Sequence, residues 1–246
     1  MLTNDIPPAS TARRAFLRIA HRGASAYAPE ITLAAIARAA ELGADMVEMD
    51  VQTCADGTAV IIHDGHLQRT TNGSGLLCEH TLESLKRLDA GDGERIPTLD
   101  EAIGCCRAHG LAPYLEVKDS FSVPAVARVV REPDLQERAI VASFRPDWLA
   151  DLRALDGRIA TAVLFGSLDI DPVALARAAG ARFVHPCWEH RGPEPHRHLT
   201  PEWIARVRAA GLKIITWHEE RPSEIAALRR IGVDGICSNA PDLLRD

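Results

Sequence analysis

Three short apolar runs near the start of the chain carry side chains that can do acid–base or metal chemistry. His21 and Arg22 follow the first run, Glu48 and Asp50 lie in the second, and His63 ends the third. Burying such groups costs several kcal/mol unless they are paired or bind something. Because α/β proteins keep their chemistry at strand ends, these three pieces predict an active site.

A fourth run, residues 114–117, adds a third carboxylate. Residues two apart on a strand face the same side, so Glu48 and Asp50 are predicted to point together, and so are Glu116 and Lys118. Three converging carboxylates repel one another unless a cation lies among them. An all-oxygen set of ligands favours Mg²⁺ or Ca²⁺ over Zn²⁺.

The remaining polar groups suit phosphate chemistry. Arg22 and Lys118 supply the positive charge that phosphate recognition requires, and His21 and His63 can share acid and base duties near neutral pH. Together with a metal ion they indicate cleavage of a phosphodiester. Taken singly, each feature has a simpler interpretation, such as a solvated strand end or a surface ion pair. The prediction therefore depends on their joint placement.

The elements that must position these residues form repeated strand–helix units. Eight parallel strands in a chain of 246 residues predict an α/β fold, a TIM (β/α)8 barrel that takes up residues 1–246 as a single domain. A doubly wound sheet is the alternative, although no GxGxxG motif opens the chain. The predicted strands are residues 16–20, 46–51, 114–117, 140–144, 161–165, 182–185, 213–217 and 235–238.

Local signals mark the helix ends. Five helical patterns stop at a glycine before a strand, three prolines occupy first helical positions, and Thr98 to Glu101 forms a capping box. The glycines and prolines are Gly43, Gly110, Gly180, Gly211, Gly232, Pro146, Pro172 and Pro201.

One connection is too short for a parallel crossover. Only residues 53–58 separate the second strand from residues 59–63, whereas a parallel neighbour needs a dozen or more residues. Residues 59–63 are therefore predicted to return antiparallel after a turn at Asp56-Gly57, which brings His63 to the level of Glu48 and Asp50. The hairpin and the polar stretch after it form an insertion at about residues 52–97, with Leu82, Leu85 and Leu88 as its packing.

Composition excludes several classes of protein. The chain is 46% hydrophobic and 25% charged, as is ordinary for a globular protein, and its net charge of −6 argues against nucleic-acid or anionic-membrane binding. We expect no stable membrane insertion, because no apolar run approaches the ~20 residues of a membrane span. Residues 1–13 are polar and expected to be loose, and residues 1–18 lack the apolar core of a signal peptide. The six cysteines include no CxxC pair, so we expect free thiols and a cytoplasmic location.

Several motifs together indicate one family. They are His21-Arg22-Gly23-Ala24-Ser25, Ala28-Pro29-Glu30, Glu48-Met49-Asp50-Val51, His63-Asp64 with Leu67 and Arg69-Thr70-Thr71, and Glu116-Val117-Lys118. This combination resembles the glycerophosphodiester phosphodiesterase family, and similar strand ends continue to the end of the chain. The resemblance implies a TIM barrel with an insertion after the second strand. It also implies metal-dependent hydrolysis of small-molecule glycerophosphodiesters, such as glycerophosphocholine or glycerophosphoethanolamine, to sn-glycerol 3-phosphate and an alcohol.

The resemblance assigns residue roles as well. One divalent cation, Mg²⁺ or Ca²⁺, is expected among the three carboxylates. The histidines share acid and base catalysis, and the nucleophile is either the glycerol 2-hydroxyl, through a cyclic phosphate, or water. The implied metal ligands are Glu48, Asp50 and Glu116, the catalytic histidines His21 and His63, and the substrate-binding residues Arg22, Lys118, Trp217, Phe165 and Glu30, with Trp217 and Phe165 side by side at the glycerol pocket.

Two stretches depart from the family pattern. The family usually has Pro-Glu-Asn-Thr where this chain has Ile31 in place of the Asn, which removes a loop amide. It usually has Trp-Thr-Val-Asn where this chain has Trp217 followed by His218, Glu219 and Glu220. The second departure predicts a more acidic rim that tolerates a cationic head group.

Two other functions stay open. The first is a phosphodiesterase of the same barrel type acting on a lysophospholipid or a sphingomyelin head group, which needs an apolar entrance. With only five Phe, two Tyr and four Trp, the sequence shows no exposed apolar loop. The second is a non-catalytic protein that binds phosphorylated small molecules, which would tolerate the loss of one histidine or carboxylate, whereas the full set is present.

Overall fold

Strands and helices alternate along residues 16–245, the part of the chain that the computed structural model describes. The strands are β1 (Leu17–Ala20), β2 (Met46–Thr53), β3 (Ala59–Ile61), β4 (Ala112–Val117), β5 (Ile140–Ser143), β6 (Ala160–Phe165), β7 (Phe183–Pro186), β8 (Lys213–Thr216) and β9 (Gly235–Ser238). The helices are α1 (Leu33–Glu41), α2 (Leu82–Leu85), α3 (Leu99–Ala108), α4 (Val123–Val130), α5 (Pro146–Leu155), α6 (Pro172–Ala179), α7 (Pro201–Ala209) and α8 (Pro222–Ile231).

Eight of these strands close into a parallel barrel. β1 pairs with β2 on one side and with β9 on the other, β2 pairs with β4, and β4 to β9 pair in chain order. The TIM-barrel prediction is confirmed. The doubly wound alternative is wrong, because an open sheet would leave β1 and β9 unpaired with each other.

β3 lies outside the barrel and pairs antiparallel with β2, with Val51 opposite Ile61. The hairpin prediction is thus confirmed, and Gly57 at its turn has a φ of 84°. The residues that follow β3 build a small apolar core of their own, in which Leu67, Leu77 and Leu85 are buried. Leu82 and Leu88 pack against that core, so the three leucines noted in the sequence are internal packing of the insertion.

The strands bury both faces. One face packs in the barrel interior around Tyr114 and Leu164, and the other packs against the surrounding helices. Successive strand residues alternate between these faces, so on β6 Leu164 belongs to the interior and Phe165 to the layer under the helices.

The predicted helix boundaries agree with the structure. The five glycines all have φ between 61° and 83°. Pro146, Pro172 and Pro201 begin α5, α6 and α7, and Thr98 and Glu101 make both hydrogen bonds of the capping box at the start of α3. Residues 1–13, expected to be loose, lie outside the described residues. No helix within residues 16–245 is both long and apolar enough to cross a membrane.

Candidate active site

Three carboxylates meet at the carboxyl ends of β2 and β4. Glu48 and Asp50 lie two apart on β2, and Asp50 is in register with Glu116 on β4. All three are buried, with exposed fractions of 0%, 0% and 2%. Each contributes an oxygen to a set whose atoms all lie within 4.8 Å of one another. The geometry is therefore that of a compact all-oxygen ligand set.

The electrostatics of these carboxylates also suit a cation. Burial raises the pKa of Glu48 well above its ordinary range and that of Glu116 to about 7, and repulsion from Asp50 adds to both effects. Four buried oxygens, Glu48 Oε1, both Asp50 oxygens and Glu116 Oε2, accept no hydrogen bond from any described residue. Burying unsatisfied carboxylate oxygens is costly, so this cluster fits a divalent metal ion.

Two cationic side chains approach the same cluster. Lys118 Nζ lies 3.0 Å from Glu116 Oε1 and 3.3 Å from Asp50 Oδ1. Arg22 Nε lies 3.6 Å from Asp50 Oδ2, and the Arg22 backbone N–H donates to Glu48 Oε2 over 3.0 Å. Arg22 adopts a φ of 55°, which is uncommon outside glycine. When all three carboxylates are ionised, the two cations leave a net negative charge that a divalent ion would reverse.

His21 follows β1 and lies beside the cluster. Its Nδ1 is 2.7 Å from the side-chain oxygen of Asn239, which also accepts from the Ser25 hydroxyl. Because an amide oxygen can only accept, His21 Nδ1 carries the proton and Nε2 is left with its lone pair. That Nε2 lies 3.9 Å from Glu48 Oε2. Burial lowers the pKa of His21 well below 6.5, with the Arg22 charge as the next cause, so the ring is neutral near pH 7.

Aromatic rings surround His21. Trp217 meets it edge-on at 5.2 Å between ring centroids, and His218 stacks on it at 4.7 Å. Trp217 also lies 6.4 Å from Phe144, so it forms one wall of the barrel mouth. Phe165 is not brought to the site, contrary to expectation. It faces the helical layer and packs against Trp188 at 5.8 Å, because its strand position points away from the interior.

His63 enters from the hairpin side. Its Nδ1 lies 2.5 Å from Asp64 Oδ1. Hydrogen bonds from Arg69 are the largest cause that holds the pKa of Asp64 well below its usual range. Arg69 binds Glu30 through a second pair of hydrogen bonds, and Arg22 donates to the same carboxylate over 3.0 Å. Glu30, expected to bind substrate, therefore has both oxygens engaged by arginines.

The rim formed by residues 218–220 is less acidic than its sequence indicates. Glu219 is buried and ion-paired with Arg221. Glu220 lies 3.1 Å from His218 Nδ1 and accepts from the Asn239 backbone N–H over 2.7 Å. Both carboxylates thus have partners within the chain, and neither is presented unpaired to a head group.

Ile31, the other departure from the family pattern, has a φ of 57° and is buried. A β-branched residue rarely adopts this conformation, whereas Asn does so readily. The backbone conformation at this position therefore explains the usual Asn. Ile31 lacks the preference of Asn for positive φ, and its side chain is buried instead.

Asn239 and Ser25 also belong to the site, although they were not among the predicted site residues. Asn239 directly follows β9, and Ser25 lies in the motif that begins at His21. The signal for Asn239 is its position at the end of the last strand, since strand ends carry the chemistry of α/β proteins.

Comparison with known proteins identifies the family of this chain. Residues 21–243 match the model of the glycerophosphoryl diester phosphodiesterase family. A glycerophosphodiester phosphodiesterase of Caldanaerobacter subterraneus is 34% identical over 93% of this chain and 96% of its own length. A putative glycerophosphodiester phosphodiesterase of Bacillus subtilis is 36% identical over 92% of this chain and 95% of its own length.

Solved structures show the same fold. A phosphodiesterase of Oleispira antarctica, in complex with the product sn-glycerol-3-phosphate, superposes with a TM-score of 0.83 at 30% identity and covers 92% of this chain and 94% of its own. A glycerophosphodiester phosphodiesterase of Agrobacterium tumefaciens has a TM-score of 0.78 at 28% identity, covering 92% of this chain and 97% of its own. The chain therefore belongs to the glycerophosphoryl diester phosphodiesterase family, and it is a hydrolase of glycerophosphodiesters.

Proposed function

We propose that this chain cleaves glycerophosphodiesters with His21 as general base and His63 as general acid. The observation that carries this assignment is the difference between their Nδ1 partners. Neutral Asn239 fixes the tautomer that leaves His21 Nε2 free to accept a proton, whereas ionised Asp64 stabilises a positive charge on His63 and leaves its Nε2–H free to donate.

We place the substrate phosphate between these two histidines. Glu48, Asp50 and Glu116 would hold one divalent cation, Mg²⁺ or Ca²⁺, which when bound supplies positive charge for the non-bridging phosphate oxygens. Arg22 and Lys118, which contact these carboxylates, would bind phosphate oxygens from the protein side, and their positive charge supports this role. Trp217, whose ring centroid lies 5.2 Å from that of His21, would exclude water from one side of His21 and contact the glycerol.

Proton transfer then follows from the two rings. His21 Nε2 takes the proton of the attacking hydroxyl, which is either the glycerol 2-hydroxyl or water. His63 gives its Nε2 proton to the oxygen of the departing alcohol as the P–O bond breaks. A substrate that lacks the glycerol 2-hydroxyl distinguishes between the two possible nucleophiles. Normal turnover of such a substrate would eliminate the route through a cyclic phosphate.

The test is release of glycerol 3-phosphate from glycerophosphocholine with EDTA, Mg²⁺ or Ca²⁺, in the native chain and in His21→Gln and His63→Gln. Each variant is expected to lose activity about 10²–10⁴-fold. A p-nitrophenyl glycerophosphodiester, whose leaving group needs no proton, should restore His63→Gln but not His21→Gln. If this substrate restored activity to His21→Gln alone, the two catalytic roles would be reversed. The matched control is His109→Gln, because His109 is exposed at the end of α3.

A second candidate substrate has an observation in its favour, because two aromatic side chains are exposed where no exposed apolar loop was expected. Phe121 and Phe144 are 79% and 48% exposed, and they lie just beyond the carboxyl ends of β4 and β5, on the catalytic face. Exposed aromatics on this face, of which Phe144 lies beside Trp217, suit the acyl chain of a lysophospholipid. Short-chain lysophosphatidylcholines should then be cleaved at rates that rise with chain length, and this rise should disappear in Phe144→Ser.

We also propose that residues 1–246 act as a single-domain enzyme in the cytoplasm. One closed barrel that begins at β1 and ends at β9 supports the first point, and six unpaired cysteines, which suit a reducing compartment, support the second. Fractionation of cells that produce the tagged protein tests the location.

A further inference from the structure

Arg69, in the insertion, lies between two carboxylates that belong to different parts of the site. Its Nε and Nη2 donate to Asp64 over 2.6 and 3.0 Å, and its Nη1 and Nη2 donate to Glu30 over 2.8 and 2.7 Å. The guanidinium is thus bidentate on both sides. This geometry uses the planar fork of arginine and has no equivalent in lysine.

The two carboxylates lead to two functional side chains. Asp64 holds the His63 ring through Nδ1, and Glu30 holds the Arg22 guanidinium through Nη1. His63 comes from the hairpin after β2, whereas Arg22 follows β1. A continuous chain of charged hydrogen bonds, Arg22–Glu30–Arg69–Asp64–His63, therefore joins the phosphate-binding side of the site to the hairpin side.

We propose that Arg69 is a positioning residue that holds His63 and Arg22 at a fixed separation across the mouth of the barrel. This inference rests on the proposed function of those two residues. Asp64 and Glu30 share one guanidinium, so without it two like charges face each other at close range and move apart. Asp64 would carry the His63 ring with it, and Glu30 would move Arg22 away from the three carboxylates Glu48, Asp50 and Glu116.

Mutation gives the first test. Arg69→Ala should lower kcat for glycerophosphocholine by about 10–100-fold, with a smaller change in KM, because misplacement by about 1 Å costs this much. Arg69→Lys should recover only part of the loss. Guanidinium chloride at tens of millimolar should raise the rate of Arg69→Ala several-fold over sodium chloride at equal ionic strength. The free guanidinium ion can replace the missing planar set of hydrogen-bond donors between Asp64 and Glu30.

The matched control is Arg87→Ala. Arg87 belongs to the same insertion, has a side chain that is 65% exposed, and pairs with Glu83 over 2.8 Å. It should keep native kcat and show no response to guanidinium. Unchanged kcat in folded Arg69→Ala, or a loss that guanidinium and sodium relieve equally, would overturn the proposal.

A readout that does not depend on activity separates this inference from the proposed function. The ¹⁵N chemical shift of His63 Nδ1 should move in Arg69→Ala and stay constant in Arg87→Ala, because only the first variant releases Asp64. If the native chain lacked activity towards glycerophosphocholine, the proposed function would fail while this shift still tested the contact. An unmoved His63 signal in Arg69→Ala would refute the positioning role.

Discussion

His185 on β7 gives a prediction about acid stability. Its side chain is fully buried in the barrel, with Nδ1 2.5 Å from the Tyr114 hydroxyl oxygen. Burial lowers its pKa from 6.5 to about 3. Between these two pKa values His185 binds a proton in the unfolded chain but not in the folded chain. The free energy of unfolding therefore falls as the pH falls.

The magnitude follows from the two pKa values. An unfolded histidine of pKa 6.5 is about one-quarter protonated at pH 7 and almost fully protonated at pH 5, while folded His185 stays neutral at both. Integration of the proton uptake predicts that this residue alone makes the protein about 2 kcal/mol less stable at pH 5 than at pH 7. The figure hardly depends on the folded pKa, provided that it stays below about 4.

The assay compares the native chain with His185→Gln, which keeps a group able to bond the Tyr114 hydroxyl. Urea unfolding followed by tryptophan fluorescence at pH 7, 6 and 5 gives the free energy of unfolding for each protein. Other titrating groups are common to both, so the native chain should lose about 2 kcal/mol relative to the variant over this range. His109→Gln controls for loss of an exposed histidine. Parallel curves for the native chain and His185→Gln would refute the reasoning.

Three further predictions concern the metal, the backbone and a helix cap. EDTA should abolish glycerol 3-phosphate release and Mg²⁺ or Ca²⁺ restore it, whereas Asp50→Asn should weaken metal binding in calorimetry. Gly23→Ala should cost about 1–3 kcal/mol more in urea unfolding than Gly57→Ala, since both have positive φ but only the first places a Cβ 2.7 Å from the Cβ of Ala35. Thr98→Ala removes the capping hydrogen bond of α3 and should cost about 1 kcal/mol.

Much of the architecture could be predicted because it depends on short-range rules. The connection at residues 53–58 is too short for a crossover, which requires the antiparallel hairpin that the structure shows. The two-residue spacing of Glu48 and Asp50 requires a shared face, and the register of β2 with β4 adds Glu116. The ends of the strands, the glycines that end helices and the prolines that begin them all follow from local periodicity and backbone preference.

These local rules could not predict which side chains of a strand point into the barrel and which point towards the helices. The rule that residues two apart share a face does not say which face is the interior, and for β6 that choice places Leu164 inside and Phe165 against Trp188. Only the register of neighbouring strands, set by closure of the whole sheet, decides it. The expected pairing of Phe165 with Trp217 failed for this reason.

The sequence by itself determined which groups the candidate site contains: three carboxylates, two histidines, and the strand ends that carry them. The tertiary structure decided their partners. Asn239 fixes the tautomer of His21 from 218 residues away, because β9 closes the barrel against β1. Glu30 and Asp64 share Arg69 because the insertion folds over the first strand end. Such contacts join segments with no local relationship, so closure of the barrel creates them and no pattern along the chain encodes them.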